Sequence, residues 1–310
     1  MSTILVGYDP RARDRAPIDF GITVAELTGA RLVVASVQAR MPALPSLAAA
    51  PMLDGVGQID EDLVLDCSDA LAEVEPELRA HDISYECRRL EGLSAAQALQ
   101  EVAQAERVAL LIVGTGRDPL LGSTAQRLLH GAPCPVAAVP NEWRRRALQT
   151  VAVAMAGADS DHEVLSAAHA LAKRAHARLR VITVVHVTPA MYAFTEASTP
   201  THPARSVDDL EGEYRALAER TVRRAVAGLG DDVPIDVDAF VGDPGDVLVE
   251  LSESFDVLVC GSRGYGPVRA VLLGSVSRRL AGEAHCPVLV LPRGVSAPLD
   301  ALLTGDAAIV

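Results

Sequence analysis

Residues Val257 to Ser275 read VLVCGSRGYGPVRAVLLGS, four apolar residues followed by a glycine-spaced loop that returns to Gly-Ser. A short apolar run bounded by glycine reads as a buried strand, and Ser275 stands where a helix over Val276–Gly282 would begin. A strand that ends in glycines and leads into a helix presents unhindered backbone N–H groups beside the positive end of a helix dipole. That combination can hold a phosphate. Glycine equally supplies the positive φ of a sharp turn that binds nothing, so the stretch alone carries two readings.

Two standard phosphate motifs fail on the residues. A Walker A loop needs G-x-x-x-x-G-K-[ST]; Gly261 to Gly266 has the spacing but continues with Pro267-Val268. The dinucleotide fingerprint G-x-G-x-x-G needs a glycine at position 119 after Gly114 and Gly116, and Pro119 stands there.

Sliding the chain along itself explains why the two glycine runs look related. At an offset of 147 residues, Ile4–Gly7 falls on Val151–Ala154, Ala30–Val34 on Ala177–Val181 and Leu110–Gly114 on Val257–Gly261. At an offset of 152, Leu120–Ser123 falls on Leu272–Ser275 and Cys134–Val136 on Cys286–Val288. The register slips between Gly114 and Gly122, inside the glycine loop. A domain of about 145 residues has been duplicated, which agrees with a length of 310 residues. Between the copies, Asn141–Arg146 reads as a polar, charged linker whose three arginines form a solvated face.

Within each copy, short apolar runs alternate with longer helical patterns, the mark of a parallel sheet with crossover helices. In the first copy the pattern predicts strands near 3–8, 32–38, 83–89, 108–113 and 136–139, and helices over 16–29, 58–80, 94–105 and 123–131. The second repeats it with strands near 150–155, 179–186, 235–240, 256–260 and 288–291. The Pro-, Ala-, Ser- and Thr-rich segments Met41–Gly57 and Thr188–Val207 read as mobile excursions. The apolar tail Gly294–Val310 is expected to dock on the body or on a partner.

The global balance narrows the partners. A formal net charge of −13 repels a phosphodiester backbone, and with 3% aromatic residues there are few stacking platforms, so nucleic acid is excluded. Hydrophobic residues at 49% and charged residues at 22% describe a folded globular chain. There is no basic leader and no run of about 20 uncharged apolar residues, so the expectation is no membrane and a cytoplasmic protein. Cys67, Cys87, Cys134, Cys260 and Cys286 form no Cys-x-x-Cys pair and read as reduced, mostly buried thiols. His162, His169 and His176 recur every seven residues, about 10 Å apart along a helix, too far to share one metal. No nucleophile can be picked from spacing.

Gly261-x2-Gly264-x9-Gly274-Ser275, with the flanks Val257–Gly261 and Cys286–Leu291 and the opening strand Ile4–Asp9, resembles the nucleotide-binding signature of the universal stress protein family. The duplicated layout is similar to its tandem members over 1–140 and 148–293, leaving 294–310 as a tail. The resemblance implies two α/β domains, each a five-stranded parallel sheet flanked by helices (Rossmann-like, adenine nucleotide alpha hydrolase-like), paired through their last strands. It implies ATP, with or without magnesium, held by the glycine loop and helix start, with an Asp ending the first strand near base and ribose. Residue by residue, the second copy offers Gly261, Arg263, Gly264, Gly274, Ser275 and Val276, and the first offers Asp9, Gly114, Gly122, Ser123 and Thr124.

Each copy departs from the pattern. In the first, Gly114 to Gly122 spans eight positions where Gly261 to Gly274 spans thirteen; in the second, Ala156 stands where Asp9 falls. The second copy keeps the part that would hold phosphate, so it is ranked first. Asp9 can equally be a turn carboxylate, and Gly242-Asp-Pro-Gly245 a strand-to-helix turn. The expectation is a nucleotide-dependent stress-response regulator with an unknown protein partner, an intramolecular domain pair with a homodimer left open, and at most slow ATP hydrolysis. The competing reading is a nucleotide-free scaffold.

Overall fold

The computed structural model describes residues 1–39, 56–116, 124–141, 143–156, 161–187, 207–262, 274–292 and 302–303. The two excursions after the second strands, Met41–Gly57 and Thr188–Val207, lie almost entirely outside that set. Of the tail, Leu302 and Leu303 are described, and both are buried. The chain divides into two compact units, one built on Met1–Arg146 and the other on Ala147–Gly261 with Gly274–Val288.

The first unit runs β1 (Thr3–Gly7), α1 (Ala16–Thr28), β2 (Arg31–Ala39), α2 (Val56–Arg79), β3 (Tyr85–Gly92), α3 (Ala95–Ala105), β4 (Leu110–Gly114), α4 (Thr124–Gly131) and β5 (Val136–Val139). Its strands lie in the order β3-β2-β1-β4-β5, and the pairs are parallel. The second copy runs β6 (Thr150–Met155), α5 (His162–Ala175), β7 (Arg178–Val185), α6 (Val207–Val226), β8 (Ile235–Val241), α7 (Pro244–Leu251), a 3-10 turn (Ser252–Ser254), β9 (Val257–Gly261), α8 (Ser275–Glu283) and β10 (Val288–Leu291). Its order is β10-β9-β6-β7-β8, the same arrangement. The α/β class and the five-stranded parallel sheet of each copy thus stand as the sequence predicts.

The central strands read as unbroken apolar runs because helices cover both faces of the sheet. Ile4, Leu5, Val6 and Leu110 to Val113 are all buried. Alternation along β1 shows which helix lies on which face. A Cβ on Gly21 of α1 would meet Val6 Cγ2 at 2.7 Å, while one on Gly7 would meet Leu99 Cδ1 of α3 at 2.7 Å. The strand order reverses at β1 and β4, and in such sheets the crevice beyond the carboxyl ends at the reversal is where ligands bind.

The outer strand of each order carries charged residues, and these pair with charges on the same strand, on the neighbouring strand or on the turn after α3. Arg31 pairs with Glu86, Arg88 with Glu86 and Glu106, and Arg178 and Arg180 with Asp236 and Asp238. β3 consequently extends to Gly92, three residues past the expected end, because its exposed Arg and Glu residues are strand residues rather than a loop. At the start of the second unit, Asp256 Oδ2 accepts the N–H groups of Gln149 (2.8 Å) and Thr150 (2.9 Å), fixing β6 against the entry to β9.

The segment 141–146 is more than the solvated linker the sequence suggests. Trp143 is buried, its ring meeting Phe20 of α1 edge-on at 5.4 Å, and its backbone N–H donates to Pro140 O. Arg145 meets Glu26 of α1 and His81 after α2. A single aromatic residue inside a charged run therefore anchors the whole segment.

Candidate functional site

The described part of the second glycine loop consists of its two ends, and the structure brings them together. β9 closes on Gly261, where an added Cβ would lie 3.1 Å from Val164 Cγ2 of α5. The N-cap of α8 is Gly274, with φ −63 and ψ 155 and no side-chain cap. Ser275, exposed, and Val276, half-buried, form the first turn. Ser277, buried one residue further on, donates its hydroxyl to Gly261 O at 3.2 Å. The start of the helix is thereby pinned to the end of the strand. Arg263 and Gly264 lie outside the described residues.

An uncapped helix start leaves backbone donors without an intrahelical partner. α3 and α7 dispose of theirs with side chains: Ser94 Oγ accepts from Gln97 N–H, and Asp243 Oδ1 accepts from Gly245 and Asp246 N–H. α8 has glycine at that position and, among the described residues, no side-chain cap on its first amides. Behind this turn, burial pushes the Cys260 thiol up to about 12, partly offset by the Ser277 hydroxyl, so this cysteine is a packing residue.

Beyond the loop, Asp243 opens α7 after Gly242, whose φ of 148 suits glycine. The N–H groups of Asp246 and Gly245 and the nearby Arg279 and His186 hold the Asp243 carboxyl below the usual range. Arg279 of α8 in turn meets Asp243, Asp246 and Glu283. That guanidinium, although one turn from Ser275, is engaged by three carboxylates and brings little net charge to the helix start.

The first copy is arranged differently. Gly114 ends β4, and a Cβ there would meet Pro17 Cγ at 3.3 Å and Asp14 Oδ2 at 3.5 Å. The Pro17 contact matches that of Val164 with Gly261, at the same offset of 147. Thr124 opens α4, and Gly122 and Ser123 lie outside the described residues. At the position equivalent to Ser277, counted from the aligned Gly-Ser pairs, the first copy has Ala125, buried and without a hydroxyl. The pin is therefore missing there. Asp9 is exposed; its Oδ1 accepts from Arg11 N–H at 3.0 Å and its carbonyl from Ala12 N–H at 3.2 Å, so the carboxylate closes a turn. In the second copy the amide of Ala156, where Asp9 would fall, donates to Asp161 Oδ2 at 2.7 Å.

Several other groups were invisible in the linear sequence. Ser252 Oγ lies 3.3 Å from His285 Nδ1, and His285 Nε2 lies 3.6 Å from Glu253. The trio has the composition of a nucleophile, base and acid. Ser252 is, however, wholly buried, donates to Val249 O at 2.6 Å and accepts His285 N–H at 2.9 Å. It staples the turn after α7 to the turn before β10. The histidine row of α5 divides as well: His162 is exposed, His169 faces Asp232 at 3.3 Å, and His176 ends the helix at φ 52. Among the described residues no group of three His, Cys, Asp or Glu could hold a metal ion. Among the same residues no helix is long and apolar enough to cross a membrane.

Comparison with known proteins agrees with this fold. The family model for the universal stress protein family matches residues 1–140 and again 147–292. A universal stress protein of Mycobacterium bovis is 26% identical over 313 residues, covering 94% of this chain and 99% of the relative. One from Mycobacterium tuberculosis is 34% identical over 155 residues, 48% of this chain and 51% of the relative, so that match spans about half the relative's length. The crystal structure of a universal stress protein from Archaeoglobus fulgidus superposes with a TM-score of 0.65 at 20% identity, covering 94% and 96% of the two chains, which is a likeness of fold. Matched by the family model in both copies, the chain belongs to the universal stress protein family as a tandem, two-domain member.

Proposed function

We propose that the chain binds an adenine nucleotide, ATP in the first place, at the start of α8 in its second domain, and that occupancy biases its contacts with a protein partner in the response to stress. The observation that carries this reading is the Ser277 hydroxyl on Gly261 O at 3.2 Å, which sets the uncapped amides of α8 beside the end of β9. Phosphate is stabilised there by N–H groups and the helix dipole, and glycine at 261 and 274 leaves the backbone open to close approach. Arg263, Gly264, Ser275 and Val276 belong to the same site in this reading. The first copy, with Ala125 in place of Ser277 and a loop five residues shorter, is the weaker site.

A regulator needs no more than this. Hydrolysis would ask for an oriented water and neutralisation of the developing charge. The triphosphate itself brings a site for magnesium when the metal is present. The reading places the protein in the cytoplasm, where the nucleotide is available.

Calorimetric titration of nucleotide-stripped full-length protein with ATP and magnesium tests the proposal. One ATP per chain, lost in Gly274→Glu, is the expected result. Two per chain would show that the first copy binds as well and that its ranking is mistaken. Absence of heat at millimolar ATP would refute nucleotide binding and leave a scaffold with turn-making glycines.

A further inference from the structure

Arg279 of α8 sits between two helix starts of the second domain. Its Nη1 lies 3.6 Å from Asp243 Oδ1 at the cap of α7, and its Nη2 meets Asp246 in the first turn of α7. Its Nε lies 3.0 Å from Glu283, one turn further along α8. Glycine at 245 makes the room, since a Cβ there would lie 2.8 Å from Arg279 Cδ. We propose that Arg279 is a gated phosphate ligand, which leaves these carboxylates for the phosphate chain when a polyphosphate nucleotide settles on the start of α8. The inference rests on the nucleotide reading above and names the cation of that site.

Position brings the guanidinium within reach. Residues four apart on a helix share a face, with Cβ atoms about 5–6 Å apart, and helical side chains lean toward the N-terminus. Arg279 follows Ser275 by four residues, so its side chain leans toward the first turn, where Gly274 supplies no side-chain cap.

Energetics allow the exchange of partners. The Arg279 side chain is 39% exposed, and Asp246 and Glu283 are more exposed still. Ion pairs so open to water hold weakly, whereas a phosphate chain carries several charges and accepts two guanidinium hydrogen bonds at once. Nothing is orphaned when the arginine leaves. Asp243 keeps the N–H groups of Gly245 and Asp246, at 2.9 and 3.1 Å, and the other two carboxylates turn to solvent. With the arginine in place on α7, three carboxylates stand against one guanidinium and repel phosphate. The acidic trio thus sets a threshold that the charge of the phosphate chain has to overcome, which favours a triphosphate over a monophosphate.

Nucleotide-stripped full-length protein is titrated calorimetrically with ATP and AMP, magnesium present, alongside four variants. Arg279→Gln should weaken ATP about tenfold and AMP less than about threefold, because AMP has no phosphate chain to engage the guanidinium. Arg278→Gln, the same loss of charge at the exposed neighbouring position, should change ATP affinity less than about threefold. Asp246→Asn loosens the arginine and should tighten ATP by about threefold or more, and the gain should vanish when Arg279→Gln is added. ATP bound as tightly by Arg279→Gln as by wild type overturns the proposal and leaves the nucleotide reading standing. So do equal losses for ATP and AMP, which would mark a structural role. A gain from Asp246→Asn that survives the second substitution also overturns it, as plain charge repulsion. If neither wild type nor Asp246→Asn binds ATP, the nucleotide reading falls and the proposal with it.

Discussion

Substituting Ser277 by Ala removes one atom from the second site and tests whether the hydroxyl organises it. The bond to Gly261 O is 3.2 Å long and made by a buried side chain, so its loss should cost about 0.5–1.5 kcal/mol. For a cooperative unit of this size, each kcal/mol moves the melting temperature by about 2–4 °C, which predicts a decrease of roughly 1–6 °C. If the bond also holds the start of α8 beside β9 for the nucleotide, a similar energy is lost from binding, and the dissociation constant for ATP should rise by up to about tenfold. Differential scanning calorimetry gives the first quantity and isothermal titration the second. An unchanged melting temperature would refute the bond. A lower melting temperature with unchanged affinity would refute its role in the site while leaving its role in the fold.

Asp243→Ala should destabilise the protein at neutral pH. The Asp243 carboxyl is held low first by the N–H of Asp246, so its contribution is complete above the ordinary carboxylate range and disappears as the pH falls through the depressed native value. The melting-temperature gap between wild type and variant should therefore close in acid; a gap that widens there would contradict the assignment. Four of the five thiols of the native protein should react slowly with thiol reagents, because burial raises Cys134 and Cys260 to about 12 and Cys67 and Cys286 are also buried, whereas Cys87 is half-buried. All five thiols should react on unfolding, and fast native labelling of Cys260 would show that the crevice behind α8 opens.

The sheet was legible because its strands are runs such as LLIVG and VLVCG, apolar on both faces, which few other structures tolerate. The duplication was legible because glycines and Cys-Pro pairs keep their registers. The candidate site was legible only in its backbone part. Gly261 and Gly274 stand out by spacing, but Ser277 lies past the end of the motif, and its importance depends on the hydroxyl reaching back sixteen residues to a carbonyl. Arg279 was hidden for a similar reason: beside Arg278 it reads as surface charge, and only the fold sets it among three carboxylates. Asp9 illustrates the converse, a residue conspicuous in sequence whose carboxylate closes a local turn.

The outer strands β3 and β8 bear on a matter separate from nucleotide. An unpaired strand edge is a template on which another chain can add, the first step toward fibrils. Here a newcomer would have to strip water from guanidinium and carboxylate groups already matched to each other, Arg88 with Glu86 on one strand and Arg180 with Asp238 against the other. These edges resist templated growth, so the protein should remain colloidally stable when it accumulates.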